Sequence, residues 1–190
     1  MNSARLLAVA LLAVALALPA RAQVIEVRQF SLESSPEGYL LNADFAFELT
    51  ARLEEALDNG VPLSFVVEFE LTRPRWYWFA EKTASARMEE RLSYNALLRQ
   101  YRVSTGPLQR NYSALSDAMA SLAQVRGWPV LERDRVQGDT AYVASVRMRL
   151  DTAQLPKPFQ ITALTDRDWS LASSWKRMSF TPAEAERASR

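Results

Sequence analysis

Neither cysteine nor histidine occurs among the 190 residues. That double absence removes disulfides, thiolate nucleophiles, imidazole bases and the usual zinc, haem and copper ligands in one step. Lysine is scarce: Lys82, Lys157 and Lys176 stand among 23 basic residues that are otherwise arginine. A serine-lysine dyad would have to recruit one of these scattered three, and no Gly-x-Ser-x-Gly elbow is present. The acidic residues are dispersed, and Asp-x-Asp spacing with a loop glycine is missing, so no metal site is assigned, not even to the loop pair Asp166 and Asp168. Charge of one sign is lacking too. With 23 basic and 22 acidic residues the chain carries no strong field, which speaks against nucleic acid as a partner. Beyond the N-terminus no apolar run is long enough for a membrane helix, and there is no internal repeat.

At the N-terminus Arg5 precedes an unbroken apolar run over residues 6–18, followed by Pro19-Ala20-Arg21-Ala22. This is the layout of a cleavable secretory signal peptide, with cleavage expected after Ala22 and the periplasm as destination. The rival reading, an uncleaved anchor, would want about 20 apolar residues. Loss of Arg5 and Arg21 takes the formal charge from +1 to −1. The mature chain fits one domain, residues 23–180, with a small, charged stretch over 181–190 expected to be a flexible tail. Without disulfides, such a domain must be held by its core. At 48% apolar residues, with eight Phe, five Trp and six Tyr, the composition allows this.

The stretch 62–79 organises the rest. Leu63, Phe65, Val67, Phe69 and Leu71 recur at every second position, opposite Ser64, Glu68, Glu70 and Thr72, which spells a strand with one buried face. Further strands are expected over 24–32, with a bulge between Val27 and Phe30, and over 39–49. Others are expected over 84–94, where Glu90 alone breaks the apolar face, and over 97–104. Residues 128–135 and 140–151 read as an antiparallel hairpin about Gln137-Gly138-Asp139, with Tyr142, Ala144, Val146, Met148 and Leu150 inward. Residues 159–164 are a further strand candidate. Two helices are expected: one capped by Thr50 and stopped at Asn59-Gly60, the other capped by Ser113 and closed at Arg126-Gly127. The expectation is a mainly-β fold: a single antiparallel β-sandwich of about eight strands with two α-helices, of which an immunoglobulin-like sandwich is one form.

Three stretches together resemble a family of exported proteobacterial proteins, domain-of-unknown-function family 4390. They are Asn59-Gly60-Val61-Pro62-Leu63 running into the aromatic segment, Leu92-Ser93-Tyr94-Asn95-Ala96-Leu97 with Tyr101-Arg102-Val103, and Leu150-Asp151 with Leu155-Pro156-Lys157-Pro158 and residues 169–175. The resemblance spans nearly all of the chain after the leader. It implies no activity and no catalytic residue. Members are often encoded near a membrane sensor kinase of nitrogen-regulation type, so the resemblance implies an envelope signalling protein as a class of partner.

Glu68 and Glu70 share a strand face, yet two such neighbours lie too close together to flank a sugar as a hydrolytic pair. Arg87, Arg91, Arg147 and Arg149 also project away from the apolar side, so charge ladders across a solvent-facing sheet account for all six. The feature a core explains least is the run Trp76, Tyr77, Trp78 and Phe79. With Arg73 and Arg75 it forms the aromatic and arginine mixture that protein interfaces favour. The sequence therefore points to a non-enzymatic envelope module, without cofactor, that binds another protein through these six residues. A small-molecule or lipid carrier with an aromatic-lined cleft is the alternative, and a carboxylate hydrolase comes third.

Overall fold

A computed structural model describes residues 24–74 and 81–188. The expected signal peptide and the run Arg75, Trp76, Tyr77, Trp78 and Phe79 lie outside the described residues. Among the described residues, nine strands form two antiparallel sheets. One is three-stranded, in the order β1-β2-β7, from Glu26–Ser34, Gly38–Ala46 and Gln124–Glu132. The other has six strands in the order β6-β5-β4-β3-β8-β9, from Leu108–Tyr112, Gln100–Thr105, Glu81–Asn95, Leu63–Arg73, Tyr142–Leu150 and Lys176–Phe180. The alternating apolar residues of both sheets meet in one core, the mainly-β sandwich that the sequence foretold.

The organising strand is β3, between β4 and β8, and its five alternating apolar residues are fully buried. Its second face is less open than the alternation suggested. Ser64 and Val66 are buried as well; Val66 lies in register between Glu89 and Arg149, and the Ser64 carbonyl accepts a hydrogen bond from the Asp151 N–H. The bulge foreseen in β1 falls between Val27 and Gln29. Helix α1, Ala51–Asp58, starts as expected, with the Thr50 hydroxyl accepting from the Leu53 N–H. It ends before Gly60, whose φ of 83° supplies the left-handed stop.

Several elements depart from expectation, each for an identifiable reason. Strands β7 and β8 do not form a hairpin: β7 pairs with β2 and β8 with β3 and β9, so residues 133–141 cross from one sheet to the other. Alternating burial cannot tell a hairpin from such an arch, because both turn the same residues towards one core. Helix α2, Leu115–Leu122, is shorter than expected and is preceded by Ala114, which makes no side-chain cap; Ser113 does not cap it. Arg126 and Gly127 lie in β7 rather than closing the helix. There the two face the single residue Asn42 in a bulge, and Gly127, at φ 59°, donates its N–H to the Asn42 Oδ1 at 2.8 Å.

Residues 159–164 are helical, within α3, Lys157–Thr165. Pro158 occupies its first turn, where a missing N–H costs nothing, and Phe159 stacks on the buried Trp169 at 5.2 Å. Strand β6, foreseen by no alternation, extends the sheet beyond Gly106-Pro107. Pro182–Ala188 forms α4, packed on β1, where the sequence suggested a flexible tail. The described residues thus carry four α-helices rather than two.

Candidate functional site

Strand β4 is the element on which two features of interest meet. It is 15 residues long and pairs with β3 along most of its length, but β5 covers only Glu90 to Asn95. Among the described residues, nothing pairs with the outer edge over residues 82–89. The inward side chains record the same gap. Leu92, beneath β5, is fully buried, whereas Ala84, Ala86 and Met88 on the same face are only half-buried.

Across from this edge runs the outer edge of β7, the last strand of the smaller sheet. Between the two lies a groove of about 650 Å³, with residues 82–85 on one bank, 129–132 on the other, and Tyr39 and Leu40 within it. Pro129 on the β7 bank is the residue type that open strand edges tolerate, since it has no N–H to offer a ladder. Apart from Lys82, whose ammonium is held by Glu70, side chains on the β4 bank are small, so the groove is open to a chain but has no enclosed chamber for a compact ligand. Arg73, the described member of the expected contact set, is exposed at the end of β3 and pairs in register with Glu81 at the start of β4. It therefore stands at the same end of the sheet as the groove.

The charged residues singled out in the sequence form a network on the outer face of the large sheet. Glu68 accepts hydrogen bonds from the Arg147 Nε and, at 3.2 Å, from the Arg149 Nη2. Burial alone would push its carboxyl up, but the two arginines outweigh burial and hold it below the ordinary value. Asp151 joins Arg149 at 3.3 Å and Arg87 at 2.6 Å, while Glu70 pairs with Lys82. Arg147 also lies over the Trp175 ring, 4.5 Å from its centroid. Glu68 thus holds two arginines and Glu70 a lysine, as ladders do, at the margin of an open hollow of about 260 Å³. Among the described residues, no group of three or more acidic side chains is gathered closely enough to hold a metal ion.

A second cleft, about 1210 Å³ and wide open, lies between the β1–β2 pair and α2, with Phe45, Phe47, Met119 and Trp175 along it. The sequence did not single it out, because its walls come from four separated stretches.

The class defined by this geometry is a two-sheet antiparallel β protein in which, among the described residues, half of one long strand of the larger sheet is paired along one edge only. The chain belongs to the family described as domain of unknown function (DUF4390), whose model matches residues 22–179. No curated protein and no solved structure matches it.

Proposed function

We propose that this protein works in the periplasm as a non-enzymatic binding module that takes an extended segment of another envelope protein along β4. The observation that carries the reading is the unpaired edge over residues 82–89, facing the β7 edge across the groove. Edge strands that a fold does not cover are templates for strand addition, in which main-chain hydrogen bonds supply affinity and alternate pockets supply selectivity. The half-buried Ala84, Ala86 and Met88 would give an added strand apolar positions to cover. Arg73, Arg75, Trp76, Tyr77, Trp78 and Phe79 belong to the same proposal, since in sequence they connect β3 to β4.

A photo-crosslinking side chain placed at Thr83 or Ser85 tests this in envelope extracts, with Glu54 on the exposed face of α1 as control. One discrete adduct at Thr83 and Ser85, absent at Glu54, is expected. Trp76→Ala or Trp78→Ala should weaken its capture about thirtyfold at unchanged melting temperature. Equal adducts at all positions, or none, overturn the reading. The wide cleft beside α2, with its three aromatic rings, favours the second reading of a lipid or small-molecule carrier. Native mass spectrometry of protein purified from its own envelope decides that case by the presence or absence of a bound species.

A further inference from the structure

Among the described residues, Glu90 is the one acidic residue in the core of the larger sheet. Its cross-strand neighbours are the fully buried Phe65 of β3 and the half-buried Thr105 of β5, beyond which the row runs out to the exposed Leu108 of β6. The residue is 6% exposed. Its Oε1 accepts a hydrogen bond from the Thr105 hydroxyl at 3.1 Å, and its Oε2 is buried without a partner. A carboxylate left so would strand a charge and an empty acceptor in a dry interior, whereas the neutral acid strands only a hydroxyl. Few charges face it. Arg110 on β6 is the cation whose charge reaches it, and Arg110 turns its guanidinium to the Ser121 hydroxyl on α2 at 3.5 Å. Of the other ionisable residues on the elements packed against β4, Asp117 on α2, Arg52, Glu54, Glu55 and Asp58 on α1, Arg126 and Glu132 on β7, and Arg73 on β3 are exposed; the half-buried Glu68 and Glu70 of β3 and Arg102 of β5 lie on the other face of the sheet, and the half-buried Tyr101 of β5 turns its hydroxyl to Asp58. Burial therefore dominates and pushes the Glu90 carboxyl up to about 7, against the Thr105 hydrogen bond and the Arg110 charge.

Position decides what such a group can do. Glu90–Thr105 is the last rung of the β4–β5 ladder, at the end where the unpaired edge begins. Hydrating Glu90 thus needs only the β5–β6 hairpin, with α2 packed on it, to part from β4 at that end. The rest of the sheet can stay closed. We propose that Glu90 is a proton-operated latch: as the neutral acid it holds the flap of β5, β6 and α2 on the sheet, and as the carboxylate it lets that flap open locally. The inference stands independently of the binding reading.

The sign is set by the two states. In the opened flap the carboxyl titrates at its ordinary value of 4.5, in the closed one at about 7. Closure is therefore favoured at low pH and weakens as pH rises through that window. Between pH 5.5 and pH 8 the opening equilibrium should rise about thirtyfold. Amide hydrogen exchange, corrected for intrinsic rates, reads this on β5, β6 and α2 against β3 and β8. The expected result is a loss of protection confined to the flap, abolished in Glu90→Gln. Carbon-13 NMR of the wild-type carboxyl groups, needing no variant, should show one glutamate titrating near neutrality. Titration of every glutamate in the ordinary range, a loss of protection shared by β3 and β8, or a loss that persists in Glu90→Gln each overturns the latch.

Discussion

At the scale of single residues, the positions that matter most are those where a small change meets something that cannot move. Gly38 opens β2 directly against β7, and a Cβ there would stand 2.0 Å from the Leu131 carbonyl oxygen. Backbone cannot swing aside as a side-chain tip can, so the β2–β7 ladder itself would have to shift. Gly38→Ala should cost about 1 to 3 kcal/mol, the usual range for forced overpacking. Gly138, with no heavy atom within 4 Å of a Cβ and an ordinary φ, provides the control, and Gly138→Ala should be neutral or slightly stabilising. Urea denaturation of the two variants checks the contrast. Equal midpoints would mean that the sheet yields at Gly38.

At the scale of elements, what was legible in the sequence is what is locally determined. The apolar faces of β2, β3 and β8 are buried as their alternation spelled out, because a period of two needs only one buried face to declare itself. Helix α1 was legible from both ends, since Thr50 and Gly60 act within a turn of their own positions. Thr50 does more than the cap requires: its hydroxyl also donates to the Asp168 carbonyl at 2.8 Å, tying the helix to the loop before β9. Thr50→Ala should therefore cost about 1 to 2 kcal/mol, the upper part of the range for cap removal, whereas Thr50→Ser should recover most of it. Thermal melts of the pair check this.

What the sequence did not disclose depends on distant pairing. Strand β6 has no apolar alternation because four of its five residues are exposed and the fifth only half-buried. The partner of β7 is chosen by which sheet it meets, not by its own residues. The candidate site divides in the same way. Glu90 announced itself as the break in an apolar face. The open edge of β4 did not, because it exists only where β5 stops, at Thr105, too soon to cover it, a relation between two strands that neither spells out.

For the whole molecule, two glutamates with opposite displacements shape the two limbs of the pH response, and Asp44, held low by its hydrogen bonds from Gln29 and Arg126, adds to the acid one. Glu68 is held below its ordinary value by Arg147 and Arg149 despite its burial, so its contribution is present above the ordinary carboxylate range and is lost as pH falls through its lowered value. Glu90 is displaced upwards, so folding binds its proton more tightly, and stability declines as pH rises from 4.5 to about 7. Those two slopes enclose a maximum close to the ordinary carboxylate value of 4.5, on the acid side of neutrality. The fall on the neutral side should be at most on the order of 3 kcal/mol, from the span of the Glu90 displacement. Urea midpoints measured from pH 3 to pH 8 should trace this profile. Glu90→Gln should flatten the neutral limb and leave the acid limb, while Glu68→Gln should reduce the acid limb and leave the neutral one. The limbs respond separately because Glu68 lies on the outer face of the sheet among arginines and Glu90 on the inner face beside Thr105, with no shared hydrogen bond between them. A wild-type optimum at pH 7 or above would show that Glu90 finds water or a cation in the folded state, and the space around its carboxyl between Phe65 and Thr105 could not then be dry.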